Sequence, residues 1–160
     1  GTDLLFGSDL GDNISGGGGS DLILGFDGAD TLDGGAGADI VLAGEGDDVL
    51  RVTEAPEAGT DVLDGGAGRD SLVGGGGSDL FVLRAEDGTD VLELADVIAD
   101  FERGVDSLGL ADGLSADNLA ITATQGGDAA ITMFSSGAYL AVLQGVSATD
   151  ISPDEIAFLV

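Results

Sequence analysis

An aspartate recurs every nine residues through the first half of this chain. Asp3, Asp12, Asp21, Asp30, Asp39 and Asp48 are each nine residues apart. After a step of thirteen, Asp61, Asp70 and Asp79 resume the interval, and Asp90 follows after eleven. Two residues beyond each Asp stands a large apolar side chain: Leu5, Ile14, Ile23, Leu32, Val41, Leu50, Leu63, Leu72, Phe81 and Leu92. A fixed short period means a repeat architecture, in which a unit too small to bury its own apolar residue does so by stacking on its neighbours.

Glycine fills the slots ahead of the Asp. Gly16-Gly17-Gly18-Gly19-Ser20-Asp21 and Gly34-Gly35-Ala36-Gly37-Ala38-Asp39 are two such runs. Gly65-Gly66-Ala67-Gly68-Arg69-Asp70 and Gly74-Gly75-Gly76-Gly77-Ser78-Asp79 are two more. Gly25-Phe26-Asp27-Gly28-Ala29-Asp30 and Ala43-Gly44-Glu45-Gly46-Asp47-Asp48 each lose one Gly, and Gly7-Ser8-Asp9-Leu10-Gly11-Asp12 departs at two positions. The unit is therefore G-G-x-G-x-D-x-U-x, with U aliphatic or aromatic. Its Gly-rich part suits a tight turn with positive φ, and x-U-x alternates as a short strand with U facing inwards. Two units close one eighteen-residue coil, so Asp3, Asp21 and Asp39 fall on one edge and Asp12, Asp30 and Asp48 on the other.

The charge balance makes those edges expensive. Thirty-one Asp plus Glu oppose four Arg, with no Lys and no His, for a net charge of −27. Stacked strands lie about 4.8 Å apart, and at that spacing two carboxylates repel by about 1 kcal/mol in water and more when half-buried. A hard cation between coils reverses the sign. Ca²⁺ takes six to eight oxygens with tolerant geometry, whereas Mg²⁺ demands a tight octahedron and keeps its waters. The competing reading is a metal-free solenoid with Asp as a turn former, but Asn or Ser would serve that role without the charge.

Composition excludes other classes. No basic surface exists for nucleic acid or anionic lipid. With no Cys and no His there is no thiol nucleophile, imidazole base, zinc cluster or disulfide framework. Carboxylates in periodic files offer no distinct catalytic pair, so the chain is read as non-enzymatic. No apolar run is long enough to span a membrane. The 43% apolar content, rich in Leu, Ile and Val, separates it from disordered acidic chains.

The nonapeptide resembles the calcium-binding repeats of the repeats-in-toxin (RTX) family of secreted bacterial proteins. That resemblance implies an all-β fold, a right-handed parallel β-roll over residues 1–95, and several Ca²⁺, about six to eight. The expected carboxylate ligands are Asp3, Asp12, Asp21, Asp30, Asp39, Asp48, Asp61, Asp70 and Asp79. Backbone carbonyls of the turn slots complete the set by the same resemblance: Gly16, Gly17, Gly18 and Gly19; Gly25, Asp27 and Gly28; Gly34, Gly35, Ala36 and Gly37; Gly44, Glu45 and Gly46; Gly65, Gly66, Ala67 and Gly68; Gly74, Gly75, Gly76 and Gly77. The thirteen-residue step reads as a loop insertion at about 52–58, with Pro56 outside any ladder. If it is one, Asp61 resumes the file of Asp39.

Beyond Val82 the period fades. Asp96-Val97-Ile98-Ala99-Asp100-Phe101-Glu102-Arg103-Gly104-Val105-Asp106-Ser107-Leu108 is similar to the segment that closes the roll in RTX proteins. The resemblance makes Asp100 and Asp106 ligands of a last calcium, more than Asp96; ordinary turn carboxylates are the competing reading. Three alternating runs, 119–124, 129–134 and 139–144, are expected as an antiparallel β cap within a C-terminal capping and secretion-signal region, 96–160. Ser152-Pro153-Asp154-Glu155 has the form of a helix start, and the apolar end Ile156–Val160 is similar to an uncleaved type I secretion signal. The chain opens within a repeat, so it reads as the C-terminal part of a longer protein with an N-terminal domain. The resemblance implies a secreted, extracellular bacterial protein, with the cell surface as an alternative place, exported by type I secretion machinery. Its role would be a calcium-dependent folding module, with a polysaccharide- or cell-surface-binding adhesin as the alternative.

Overall fold

The computed structural model describes residues 1–53, 59–85 and 88–151, and the backbone of 156–158. The chain winds alternately between two sheets. Its repeat strands are β1 (Leu4–Ser8), β2 (Asn13–Gly18), β3 (Leu22–Asp27), β4 (Thr31–Ala36), β5 (Ile40–Glu45), β6 (Val49–Arg51), β7 (Val62–Ala67), β8 (Ser71–Val73) and β9 (Leu80–Leu83). Odd-numbered strands pair in parallel in one sheet and even-numbered strands in the other. The register within each sheet is one coil: Ile23 pairs with Leu5 and Val41, and Leu32 with Ile14 and Leu50. This is the parallel β-roll that the nine-residue period predicts.

The U residues form the core between the sheets. Ile23, Leu32, Val41, Leu50, Leu63 and Phe81 are fully buried, while Leu5 and Ile14, at the N-terminal end of the stack, are only partly so. Full burial contributes about 1.5–3 kcal/mol per side chain, which a single coil could not obtain. The strands are longer than the three-residue x-U-x expectation. Most run on through the Gly-Gly-x slots, where Gly17 pairs with Gly35 and Gly44 with Gly66. Pairing across coils extends the ladder where glycine propensity alone would end it.

Across the long step, Ile40 pairs with Val62 and Val49 with Ser71, 22 residues on instead of 18. The four extra residues leave the register intact, and Asp61 takes up the file of Asp39. Of the loop expected at 52–58, residues 54–58 lie outside the described residues. Val52 belongs to the stack: it is buried, and its N–H donates to the Val73 carbonyl at 2.9 Å.

The two sheets then end differently. β10 (Asp96–Ile98) joins β8, and β11 (Ser107–Leu110) joins β9, so Ile98 and Leu108 continue the two U files. The three alternating runs become β12 (Leu119–Ala123), β13 (Asp128–Met133) and β14 (Tyr139–Ser147). β13 is antiparallel to both neighbours, and β14 docks in parallel on β10. The antiparallel strands thus extend one sheet, while β15 (Ile156–Phe158) extends the other by pairing with β11. The expected helix start at Ser152-Pro153 lies outside the described residues. Among those described, no helix is long and apolar enough to cross a membrane.

Candidate metal centre

Each repeat aspartate sits where a Gly-rich turn hands over to a strand, and the structure binds it to the coil before it. The N–H of Asp3 donates to Asp21 Oδ1 at 2.7 Å, that of Asp21 to Asp39 at 2.8 Å, and that of Asp61 to Asp79 at 3.0 Å. On the other edge Asp12 donates to Asp30 at 2.8 Å, Asp30 to Asp48 at 2.7 Å and Asp48 to Asp70 at 2.9 Å. These are two ladders of charge-assisted hydrogen bonds, one on each edge of the roll. Asp21, Asp30, Asp39, Asp48, Asp61, Asp70 and Asp79 are all buried, whereas Asp12 is half-buried and Asp3 exposed.

The ladder employs only one carboxylate oxygen. The Oδ2 atoms of Asp21, Asp30 and Asp48 are buried with no hydrogen-bond partner in the protein. A buried ionised oxygen without a partner costs several kcal/mol unless a cation or proton meets it. Burial pushes the Asp48 carboxyl up to about 6, against the lowering effect of its backbone hydrogen bond and with help from Asp30 and Asp47. Asp79 is likewise raised to about 6 by burial, and Asp106 is raised for the same reason.

The surroundings of each Oδ2 are backbone. A Cβ on Gly16 would lie 2.5 Å from Asp21 Oδ2, and one on Gly34 would lie 2.6 Å from Asp39 Oδ2; Gly25, Gly65 and Gly74 face Asp30, Asp70 and Asp79 in the same way. The second and fourth slots press on the coil before: a Cβ on Gly35 would strike the Gly17 carbonyl oxygen, and one on Gly46 that of Gly28. The third-slot carbonyls of Ala36, Glu45 and Ala67 accept the N–H of Gly19, Gly28 and Gly46 at 2.7, 2.7 and 2.8 Å. The exposed carboxylates of Asp27 and Glu45 stand outside the ladders. Among the described residues no group of three or more His, Cys, Asp or Glu side chains converges as a metal cage. A cation at these edges would therefore take single carboxylate oxygens and peptide carbonyls, a hard all-oxygen donor set of the kind Ca²⁺ accepts. The orphaned Oδ2 atoms and the side-chain-free cradle fit that ion.

The closing segment contributes ladder residues that the spacing hides. Asp70 donates its N–H to Asp96 Oδ1, and Asp79 to Asp106 Oδ1, both at 3.0 Å. Asp96 thus stands in the ladder position, while Asp100 takes the N–H groups of Gly74 and Gly75 at 3.0 and 2.8 Å. Asp90 is exposed, and Leu92 opens a short 3-10 helix instead of filling a U slot. The signal for Asp96 and Asp106 is the D-x-U triplet, Asp96-Val97-Ile98 and Asp106-Ser107-Leu108, without its glycines. Phe26 occupies the second glycine slot at φ 79°, strained for a bulky residue.

Among solved structures, the chain is similar to two subunits of the Azotobacter vinelandii mannuronan C5-epimerase. For the AlgE6R3 subunit the identity is 31%, with a TM-score of 0.51 and coverage of 94% of this chain and 80% of that one. For the AlgE6R2 subunit the identity is 29%, with a TM-score of 0.50 and coverage of 96% and 91%. An extracellular lipase from Serratia marcescens is 18% identical with a TM-score of 0.43, and the chain spans 40% of its length. The curated proteins contain no match. The RTX calcium-binding nonapeptide repeat matches residues 6–41, 15–50 and 57–92, together just over half of the 160 residues. By its repeats, its roll and its two aspartate ladders, the chain belongs to the RTX calcium-binding nonapeptide repeat family.

Proposed function

We propose that this chain is a structural, non-catalytic module that folds when Ca²⁺ enters its turns. The observation that carries the reading is the set of buried Oδ2 atoms on Asp21, Asp30 and Asp48 that the protein leaves without a hydrogen bond. Without metal, folding must bury these charges and the repulsion along each edge. With metal, Asp12, Asp21, Asp30, Asp39, Asp48, Asp61, Asp70 and Asp79 supply anionic oxygen and the turn carbonyls supply the rest. Asp96, Asp100 and Asp106 do the same at the closing end, for about six to eight ions in all. Binding free energy then becomes folding free energy.

Such a switch suits export by type I secretion. Free calcium inside a cell is too low for a module of millimolar affinity, so the chain stays unfolded there and folds outside, where the ion is abundant. The folded roll would then stabilise a domain attached to it. The similarity to subunits of an epimerase supports a modular role within a larger protein. Far-UV circular dichroism of EDTA-stripped protein tests the switch. The expected result is a cooperative gain of β signal as Ca²⁺ approaches millimolar, with no gain in Mg²⁺. A stripped protein already fully folded and indifferent to Ca²⁺ would overturn it.

A further inference from the structure

The turn that ends at Asp12 is built differently from those that follow. In the turns ending at Asp21, Asp30, Asp39, Asp48, Asp70 and Asp79, the second slot has φ between 79° at Phe26 and 113° at Gly44. The fourth slot of the same turns has φ between 115° at Gly19 and 141° at Gly68. In Gly7-Ser8-Asp9-Leu10-Gly11-Asp12 those slots hold Ser8 and Leu10, and neither has a positive φ. The dihedral sets where the flanking peptide groups point, so this turn aims its carbonyls in other directions.

Hydrogen bonds follow the same division. The Ser8 hydroxyl donates to Asp12 Oδ2 at 2.8 Å, and its Oγ accepts the Leu10 N–H at 3.3 Å. The corresponding N–H groups on this edge, those of Gly28 and Gly46, reach the next coil and donate to the Glu45 and Ala67 carbonyls. The cradle itself is the repeat's own. A Cβ on Gly7 would lie 3.0 Å from Asp12 Oδ2 and 2.5 Å from the Gly25 carbonyl oxygen. One on Gly16 would lie 2.5 Å from Asp21 Oδ2 and 2.6 Å from the Gly34 carbonyl oxygen. Yet Asp21 Oδ2 is without a hydrogen-bond partner, while Asp12 Oδ2 has a hydroxyl. A place near the end of the stack does not account for the difference. Gly17, in the turn ending at Asp21, keeps φ 93° although a Cβ on it would meet nothing within 4 Å.

We propose that Ser8 makes the Asp12 turn a weak calcium site, filled only after the Asp21, Asp30 and Asp48 turns have bound their ions and folded. The inference rests on the calcium-dependent folding proposed for this chain. At Asp21, Asp30 and Asp48 an arriving ion meets an oxygen without a hydrogen bond. At Asp12 it must first displace a hydroxyl from the carboxylate, and it finds turn carbonyls aimed elsewhere. Giving up a hydrogen bond to a charged group raises the calcium required about tenfold. At intermediate calcium the roll is therefore folded while its Asp12 turn is still metal-free, closed by Ser8 in place of the ion.

Amide chemical shifts followed by NMR through a calcium titration test this. After the step in which the roll folds, the amides of Asp9, Leu10 and Asp12 should shift once more, at calcium about tenfold higher. Those of the Asp21 and Asp48 turns should stay where the folding step left them. Ser8→Gly with Leu10→Gly restores the repeat, and in that variant the two steps should merge. Added glycine favours the unfolded chain, so a merely structural effect would move the folding step to higher calcium and leave the late step in place. A wild type whose Asp9, Leu10 and Asp12 amides settle within the folding step overturns the proposal. So does a double variant that keeps the late shift. A chain with no calcium-dependent step at all would remove the calcium reading itself, and this proposal with it.

Discussion

The repeat turns and the antiparallel strands β12–β14 solve the same problem with different chemistry. In β13 and β14, Ala129, Ile131, Leu140 and Leu143 are buried, and the buried Thr132 hydroxyl donates to the Ala120 carbonyl at 3.2 Å. Contacts there are local, joined by short hairpin turns, and no carboxylate is buried. From Asp21 to Asp79 the turns of the roll bury one carboxylate per unit and leave the Oδ2 atoms of Asp21, Asp30 and Asp48 unmet. The first region rests on hydrophobic burial, while the proposed function gives the second an ion as part of its fold.

Removing calcium should break the comparison open. In EDTA, amide exchange at the Asp21, Asp30 and Asp48 N–H groups should become fast. The β12–β13 amides should exchange at least tenfold more slowly than those of the ladders. Equal rates in both regions would deny the difference. Next in size is glycine. Gly35→Ala drives a Cβ into the Gly17 carbonyl at φ 93°, whereas Gly127→Ala, at φ 98°, meets nothing within 4 Å. In saturating Ca²⁺, urea unfolding should show a loss of about 3 kcal/mol or more for the first and about 1 kcal/mol for the second.

The roll and its core were legible because period and register are the same information. Once the thirteen-residue step is read as an insertion, the spacing places Asp61 above Asp39, and the register of Ile40 with Val62 agrees. The role of Asp96 was hidden, because it lies 26 residues beyond Asp70 and its upstream glycines are gone. Asp90 has the same D-x-U triplet and no ladder role. Its neighbours Val91-Leu92-Glu93-Leu94 turn into a 3-10 helix, while the β-branched pair Val97-Ile98 favours a strand. The carboxylates are written in the sequence, but the oxygens that complete a site are peptide carbonyls that no side chain announces. The positive φ of Phe26 was equally silent, since the repeat shows only that a glycine is missing.

Two smaller effects sharpen the account. Asp48→Asn keeps a hydrogen-bond acceptor for the Asp30 N–H but removes the charge. It should raise the calcium concentration at the folding midpoint roughly tenfold, whereas Asp128→Asn in the hairpins should leave that midpoint unchanged. The sign of the pH dependence follows from Asp48 and Asp79, both raised to about 6. The metal-free roll holds protons there that the unfolded chain has already lost, so its stability falls as pH rises towards and through 6. The unfolded chain that calcium folds has already lost those protons. The midpoint calcium concentration, followed by circular dichroism, should therefore change by less than about twofold between pH 5.5 and 7.5; a drop of several-fold would mean that calcium binds a roll already folded and protonated.

The central claim is that calcium meets the carboxylate oxygens the protein leaves unmet. An anomalous difference map from crystals grown in Ca²⁺, at a wavelength where calcium scatters anomalously, tests it atom by atom. The account predicts peaks between coils along both edges, each touching Oδ2 of a ladder aspartate, with Asp21, Asp30 and Asp48 among them. A folded roll without peaks at those oxygens, or with peaks confined to exposed carboxylates such as Asp27 and Glu45, would contradict it.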